Sequence, residues 1–321
     1  MVKLEVCLAG LKMKNPFTVA SGTFASGREY AELWKNSLEV SAESFPFPFD
    51  ADAPLSVLGA LTTKGVSLKP WAGNDGIRIT ETASGMLNSI GLQNPGVEEF
   101  CSKDLPWLAT QKTPIVVNVS GHSVEEYAEV IEHLECEATV SAYEVNISCP
   151  NVDKGGMSFG TSAEAAAEVT RACRMATKRM LIIKLTPNVT DITEIARACE
   201  ANGADGLSLI NTVAGMAIDI RSRKSVFNRK VAGLSGPAIK PLALYAVNRV
   251  YEAVSLPLIG MGGISSAEDV VEFMLAGATA VALGSHNFSD PLAVLHVLTE
   301  FIQWCEQAGV EDVNELIGGL A

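Results

Sequence analysis

No run of roughly 18 apolar residues occurs in this 321-residue chain, so no membrane-spanning helix is expected. The opening residues, Met1-Val2-Lys3-Leu4-Glu5, lack the apolar core of a secretory signal. Positive charge is scarce. The 24 Lys and Arg stand against 37 Asp and Glu, for a formal net charge of -13. That balance argues against nucleic acid or an anionic membrane surface as a main partner, and it favours solubility. The seven cysteines (Cys7, Cys101, Cys136, Cys149, Cys173, Cys199, Cys305) form no Cys-x-x-Cys pair, and their number is odd. No zinc or iron–sulfur site held by this chain is therefore expected, and the pattern fits a reducing cytoplasm. With only four histidines, His-based metal chemistry is not expected either. No Gly-x-Gly-x-x-Gly follows the first apolar run, so the usual dinucleotide fingerprint is missing. Nothing reads as a linker, and residues 1–321 are expected to form one domain.

Short apolar runs are what the chain has instead. Eight read as strands: Phe17–Ser21, Ala60–Val66, Pro114–Ser120, Ala142–Ser148, Met180–Thr186, Gly206–Asn211, Leu256–Gly263 and Ala280–Ser285. Most are continuously hydrophobic rather than alternating, as parallel strands buried on both faces are. Amphipathic helices fit between several of them, at Ser123–Glu135, Ser162–Lys178, Asp191–Asn202 and Ser266–Ala276. Ser-Ala-Glu-Asp opens the last of these and Gly277 follows it, a start and a stop signal. Eight βα units read as a (β/α)8 barrel; the runner-up is an open doubly wound sheet. Long excursions follow the second strand (Ser67–Thr113), the fourth (Cys149–Thr161) and the sixth (Thr212–Ala238). They lie where such barrels carry their chemistry and would roof one active site. Asn36–Ser56, with Phe45-Pro46-Phe47-Pro48-Phe49-Asp50, reads as an extended surface loop, either a contact surface or an idle insertion packed on the barrel.

Chemistry-bearing residues collect at the strand ends. Asn146-Ile147-Ser148-Cys149-Pro150-Asn151 places a thiol between carboxamides. A lone Cys is ordinarily a small buried hydrophobe, but a Cys of lowered pKa is a proton-transfer group. Lys64 ends one strand and Lys184 lies inside Ile182-Ile183-Lys184-Leu185. A lysine in an apolar strand needs an anionic or electron-rich partner unless its head snorkels to solvent. Gly260-Met261-Gly262-Gly263 and Gly284-Ser285 close the last two strands, where barrels commonly hold a phosphate; turn glycine is the plain alternative. Asn88, Asn118, Asn146, Asn151 and Asn211-Thr212 recur at strand ends and suit a planar, amide-rich ligand.

As a set these segments resemble the dihydroorotate dehydrogenase family, class 1, over nearly the whole chain. The resemblance is carried by Ala20–Phe24, Asn88–Gly96, Asn146–Asn151, Gly155–Thr161, Ile210–Thr212, Gly233–Pro237 and the two Gly-rich strand ends. The forms Gly-Leu-Gln-Asn-Pro-Gly and Gly-Gly-x-x-Phe-Gly-Thr are similar to subtype B. The resemblance implies an FMN flavoprotein of pyrimidine biosynthesis that oxidises dihydroorotate to orotate. Cys149 would be the base that takes the C5 proton, and Lys184 would stabilise the reduced flavin. Ser21, Lys64, Gly65, Asn118, Asn146, Lys184, Ile210, Gly236, Gly262, Gly263, Gly284 and Ser285 would hold FMN. Lys64, Asn88, Ser89, Ile90, Gly91, Leu92, Asn146, Asn151, Asn211 and Thr212 would hold orotate. The resemblance also implies a homodimeric core, a heterotetramer with an electron-transfer subunit carrying FAD and a [2Fe–2S] cluster, and NAD as acceptor. The Asn36–Ser56 segment is longer than the family pattern. The rival readings are a stand-alone enzyme using fumarate, a dihydropyrimidine dehydrogenase-type flavin reductase, and a flavin-storing barrel without catalysis.

Overall fold

A computed structural model describes residues 2–40, 45–148, 150–151 and 157–321. Eight strands form one parallel sheet: β1 (Phe17–Val19), β2 (Leu61–Thr62), β3 (Ile115–Val119), β4 (Val140–Asn146), β5 (Met180–Lys184), β6 (Gly206–Leu209), β7 (Leu258–Met261) and β8 (Ala278–Leu283). Their order around the sheet is their order in the chain, with β8 paired to β1. Between β1 and β2 the ring closes through Gly59 N donating to Phe17 O at 2.9 Å and a Thr18–Thr62 hydroxyl contact of 3.1 Å. This is the (β/α)8 barrel expected from the apolar runs. All five residues of β3 and all six of β8 are buried, as strands covered on both faces must be.

The outer helices are α1 (Arg28–Val40), α2 (Val124–Leu134), α3 (Ala163–Ala176), α4 (Ile192–Ala201), α5 (Lys240–Tyr251), α6 (Ala267–Leu275) and α7 (Ala293–Ala308). The helix starts are capped, the Ser266 start as the sequence predicts. Ser123, Ser162 and Asp191 accept from the backbone of the first turn, and Ser266 with Asp269 makes a full capping box. Phe301 of α7 meets Phe17 of β1 edge-to-face at 5.7 Å, and both are fully buried.

Two segments differ from the reading of the sequence. Asn36–Val40 belongs to α1, so the supposed loop begins as helix. Beyond it, Phe45, Phe47 and Phe49 are half-buried against the core, while Pro46 and Pro48 between them are exposed. Alternation by two turns the rings inward, so the insertion packs on the barrel. The excursions after β2 and β6 are also more than loops. Ile79–Thr82, Gly85–Asn88, Ala232–Ser235 and Val213–Gly215 pair as a four-stranded antiparallel sheet over the barrel mouth. Leu87 and Ala232 of this sheet form a small separate core with Phe227. After β4, Pro150–Asn151 pairs with Met157–Ser158, and the residues between them lie outside those described.

Candidate active site

The C-terminal ends of the strands and the roof sheet enclose a cavity of about 480 Å³. Lys64, Asn118, Asn146, Lys184, Ile210, Met261 and Gly284 come to it from the ends of seven strands, and Ser21 from just beyond β1. Asn88, Ser89, Ile90, Gly91 and Leu92 enter it from the roof, with Asn211, Thr212 and Gly236. Gly65, Gly262, Gly263 and Ser285 complete the set of sequence candidates on its wall. Cys149 lies outside the described residues, as does the side chain of Asn151.

Beneath the cavity sits a buried charged layer. Lys184, 5% exposed, points Nζ at Ser21 Oγ, 3.4 Å away, and at Glu144 Oε1, 3.9 Å away. Glu144 is itself buried; its Oε1 accepts from Asn118 Nδ2 at 2.6 Å and its Oε2 from Ser208 Oγ at 2.7 Å. Lys64 is the second cation. Burial, reinforced by the nearby Lys184 charge, pushes its pKa below the usual lysine value.

The carboxamides are held by one another. Asn146 Oδ1 accepts from Ser148 N at 3.1 Å and from Asn211 Nδ2 at 3.2 Å. Asn211 Nδ2 also reaches Ser148 Oγ at 2.9 Å, and its Oδ1 accepts from Thr212 N at 2.7 Å. Tyr127 anchors the strand end from behind by donating to Asn146 O at 2.8 Å. Asn88 Nδ2 donates to Gly233 O within the roof sheet. No sequence motif marks Tyr127, Glu144 or Ser208, or the cavity residues Asn74 and Asn188. Asn74 Nδ2 donates to Ser89 O and Ser89 Oγ, both at 3.1 Å. Asn188 Nδ2 donates to Thr212 O at 2.9 Å and its Oδ1 accepts from Ala214 N at 2.8 Å, tying the barrel end to the roof. The amide-at-strand-end pattern extends to Asn188, two residues past Thr186. Nothing local marks Ser208.

The glycine-rich end has a tertiary reason. Gly263 has φ +80°, and a Cβ there would stand 2.8 Å from Lys240 Cβ and 2.9 Å from Gly236 O. No other residue fits that turn. At Gly284 a Cβ would meet only Ala20, at 3.5 Å, so this glycine leaves room on the cavity wall. A flat heteroaromatic phosphate ester such as FMN fits these features: glycine-lined walls at one end, two lysines, and amides that both donate and accept. Among the described residues, no group of three His, Cys, Asp or Glu could hold a metal ion. No described helix is long and apolar enough to cross a membrane.

Comparison with known proteins agrees with this geometry. The family model for dihydroorotate dehydrogenase matches residues 49–304. The chain is 49% identical over 319 residues to a protein of Alkaliphilus metalliredigens named dihydroorotate dehydrogenase B (NAD(+)), catalytic subunit, with 99% of each chain covered. Proteins of the same name from Geobacter metallireducens (50% over 317 residues; 99% of this chain, 98% of the relative) and a Geobacillus species (46% over 318 residues; 99% and 96%) are similarly related. In fold, the chain resembles the crystal structure of DHODH in complex with ferulenol from Eimeria tenella, with a TM-score of 0.76 at 20% identity, covering 99% of this chain and 88% of the other. The chain belongs to the dihydroorotate dehydrogenase family, among the catalytic subunits of the B type.

Proposed function

We propose that this chain oxidises dihydroorotate to orotate with FMN as its resident cofactor. Electrons then pass to NAD through a separate subunit carrying FAD and a [2Fe–2S] cluster. The observation that carries the reading is the meeting of Lys64, Lys184 and a hydrogen-bonded set of carboxamides on one cavity at the barrel mouth. FMN, when bound, supplies the two-electron acceptor for the hydride that leaves the substrate ring carbon. Every other role falls to this chain. Cys149 takes the proton from the neighbouring carbon, C5, which a carbonyl acidifies. Lys64 meets the substrate carboxylate, with the backbone of Ser89 to Leu92 around it. Asn88, Asn146, Asn211 and Thr212 pair with the amide edges of the pyrimidine ring, and Asn151 faces the same ligand. Ser21, Gly65, Asn118, Ile210, Gly236, Gly262, Gly263, Gly284 and Ser285 hold FMN. Lys184 offers a fixed positive charge where negative charge accumulates, the kind of stabilisation that contributes most to enzymatic rates.

The curated relatives are named as catalytic subunits, which favours a second protein for the NAD step. Ile79, Val231 and Phe288 line the cavity and are about half exposed, an apolar rim suited to a docked subunit. The test is anaerobic turnover of the isolated chain with dihydroorotate, offering an artificial dye, NAD or fumarate. A yellow protein that reduces the dye but neither NAD nor fumarate is expected, with NAD reduction appearing when the FAD/[2Fe–2S] subunit is added. Substantial NAD turnover by the chain alone would refute the partner step. Rapid fumarate turnover would assign the stand-alone chemistry, and activity on dihydrouracil but not dihydroorotate would overturn the substrate.

A further inference from the structure

We propose that Glu144 is a positioning residue that holds the Lys184 ammonium under the cavity and sets the net charge presented to the flavin. The inference rests on the flavin reading of the site. Asn118, Glu144, Lys184 and Ser208 come from four consecutive strands and form one layer across the barrel interior. Asn118 pairs in register with Glu144, and Lys184 with Ser208. The carboxylate is 1% exposed and fully engaged by Asn118 Nδ2 (2.6 Å) and Ser208 Oγ (2.7 Å), with Lys184 Nζ 3.9 Å away.

Two consequences reach the cavity. An ammonium has three donors. Lys184 donates to Ser21 Oγ at 3.4 Å, and Glu144 at 3.9 Å attracts the ammonium without taking a hydrogen bond, so two donors remain for a cavity ligand. An amide has two distinct ends, and Glu144 takes the NH2 end of Asn118. The Oδ1 end is then left beside Gly65 on the cavity wall, 3.0 Å from where a Cβ would stand. One carboxylate therefore orients two cavity residues. It also offsets one of two cations, Lys64 and Lys184, so the layer and its neighbour carry a net single positive charge. A buried ion pair is weak evidence for a purely stabilising role, because apolar residues of similar volume are often at least as stabilising.

The experiment compares Glu144→Gln and Glu144→Asp in the FMN-loaded protein by redox titration against reference dyes. Gln keeps the shape and removes the charge, so the site becomes more positive by one. Reduced FMN should then be favoured over oxidised FMN at least tenfold relative to wild type, a positive shift of about 30 mV for a two-electron couple. Asp keeps the charge and should stay within threefold of wild type. An unshifted Glu144→Gln protein, or an equal shift in Glu144→Asp, overturns the proposal while leaving the flavin reading intact. A wild-type chain that takes up no FMN overturns both. If Glu144→Gln does not fold, the double variant with Lys184→Met decides. The pair model predicts that removing both buried charges restores folding, and failure of the double variant to fold overturns it.

Discussion

Lys64 carries the clearest pH signature of the site. Burial and the Lys184 charge lower its pKa, so it loses its proton at a lower pH than a free lysine, whose value is about 10.4. Only the charged form attracts a carboxylate. Orotate affinity should therefore fall as pH rises through the lowered Lys64 pKa, before the ordinary lysine range is reached. Lys64→Met should bind orotate roughly 10- to 100-fold more weakly at neutral pH and lose this pH dependence, as read by flavin-absorbance titration. The stability effect has the opposite sense. A buried charge penalises folding in full below the folded pKa, and the penalty is relieved as pH rises toward the unfolded value. The ligand-free variant should accordingly melt above wild type at pH 7, by a margin that shrinks toward pH 10. Cys149→Ala should bind FMN and orotate normally yet slow flavin reduction by about 10²–10⁴-fold in stopped flow, the usual worth of a general base. An unchanged rate would make Cys149 a plain structural thiol.

At the scale of elements, the turn between β7 and α6 shows how a loop is made rigid. Asp269 is buried, and its Oδ2 accepts from Ser265 N (2.7 Å), Ser265 Oγ (3.0 Å) and Ser266 N (3.0 Å). Its Oδ1 accepts from Lys240 Nζ at 2.6 Å, linking this turn to the start of α5. Burial alone would raise the Asp269 pKa, but Lys240 and the Ser265 donors outweigh it and hold the carboxyl below the usual range. Gly262 and Gly263 on the cavity wall stand in the turn so clamped. Asp269→Asn should destabilise the protein by about 1–3 kcal/mol at neutral pH and weaken FMN binding. Because the folded pKa is depressed, the contribution is present above the unfolded value of about 3.9 and is lost as pH falls through the folded one. The gap in melting temperature between variant and wild type should therefore narrow below pH 4. A gap that stays constant to pH 3 would show that the carboxylate charge is not what holds the turn.

At the scale of the whole molecule, closure depends on contacts far apart in sequence. β1 pairs with β8, and α7 packs over that junction through Phe301 against Phe17. Phe301→Ala should cost about 3–5 kcal/mol, the range for a large aromatic removed from a packed core. Thermal unfolding of the ligand-free protein measures it. A loss below 1 kcal/mol would mean that α7 contributes little to closing the ring. The roof behaves as a second unit. Its own small core of Leu87, Phe227 and Ala232 is separate from the barrel core, and Asn188 is one of its ties to the barrel. Asn188→Ala should raise KM for dihydroorotate while leaving the melting temperature nearly unchanged, because it loosens Thr212 and the roof strand Val213–Gly215; an unchanged KM would show that this tie does not hold the site.

Eight strands, their parallel pairing and the capped helices between them were legible in the sequence alone. Continuous apolar runs, Ser and Asp caps and glycine stops are local signals, and local energetics suffices to produce them. The strand-end residues were legible too, because lysine, asparagine and paired glycine are costly inside apolar runs and stand out there. What needed the tertiary structure was every relation across the barrel. Nothing in Ala142-Tyr143-Glu144-Val145 marks Glu144; strand register sets it beside Asn118, and only the closed barrel interior brings its carboxylate to Ser208 and Lys184. The roof strands are hard to read because each is only three or four residues long, and the two local hairpins join into one sheet only through a pairing of more than a hundred residues, Asn88 with Gly233. For Phe45–Phe49 the sequence leaves two readings, a contact surface or an insertion packed on the barrel, and the burial of the three rings against the core decides for the second. Local chemistry is written in the chain one residue at a time; who meets whom is decided by closure of the ring.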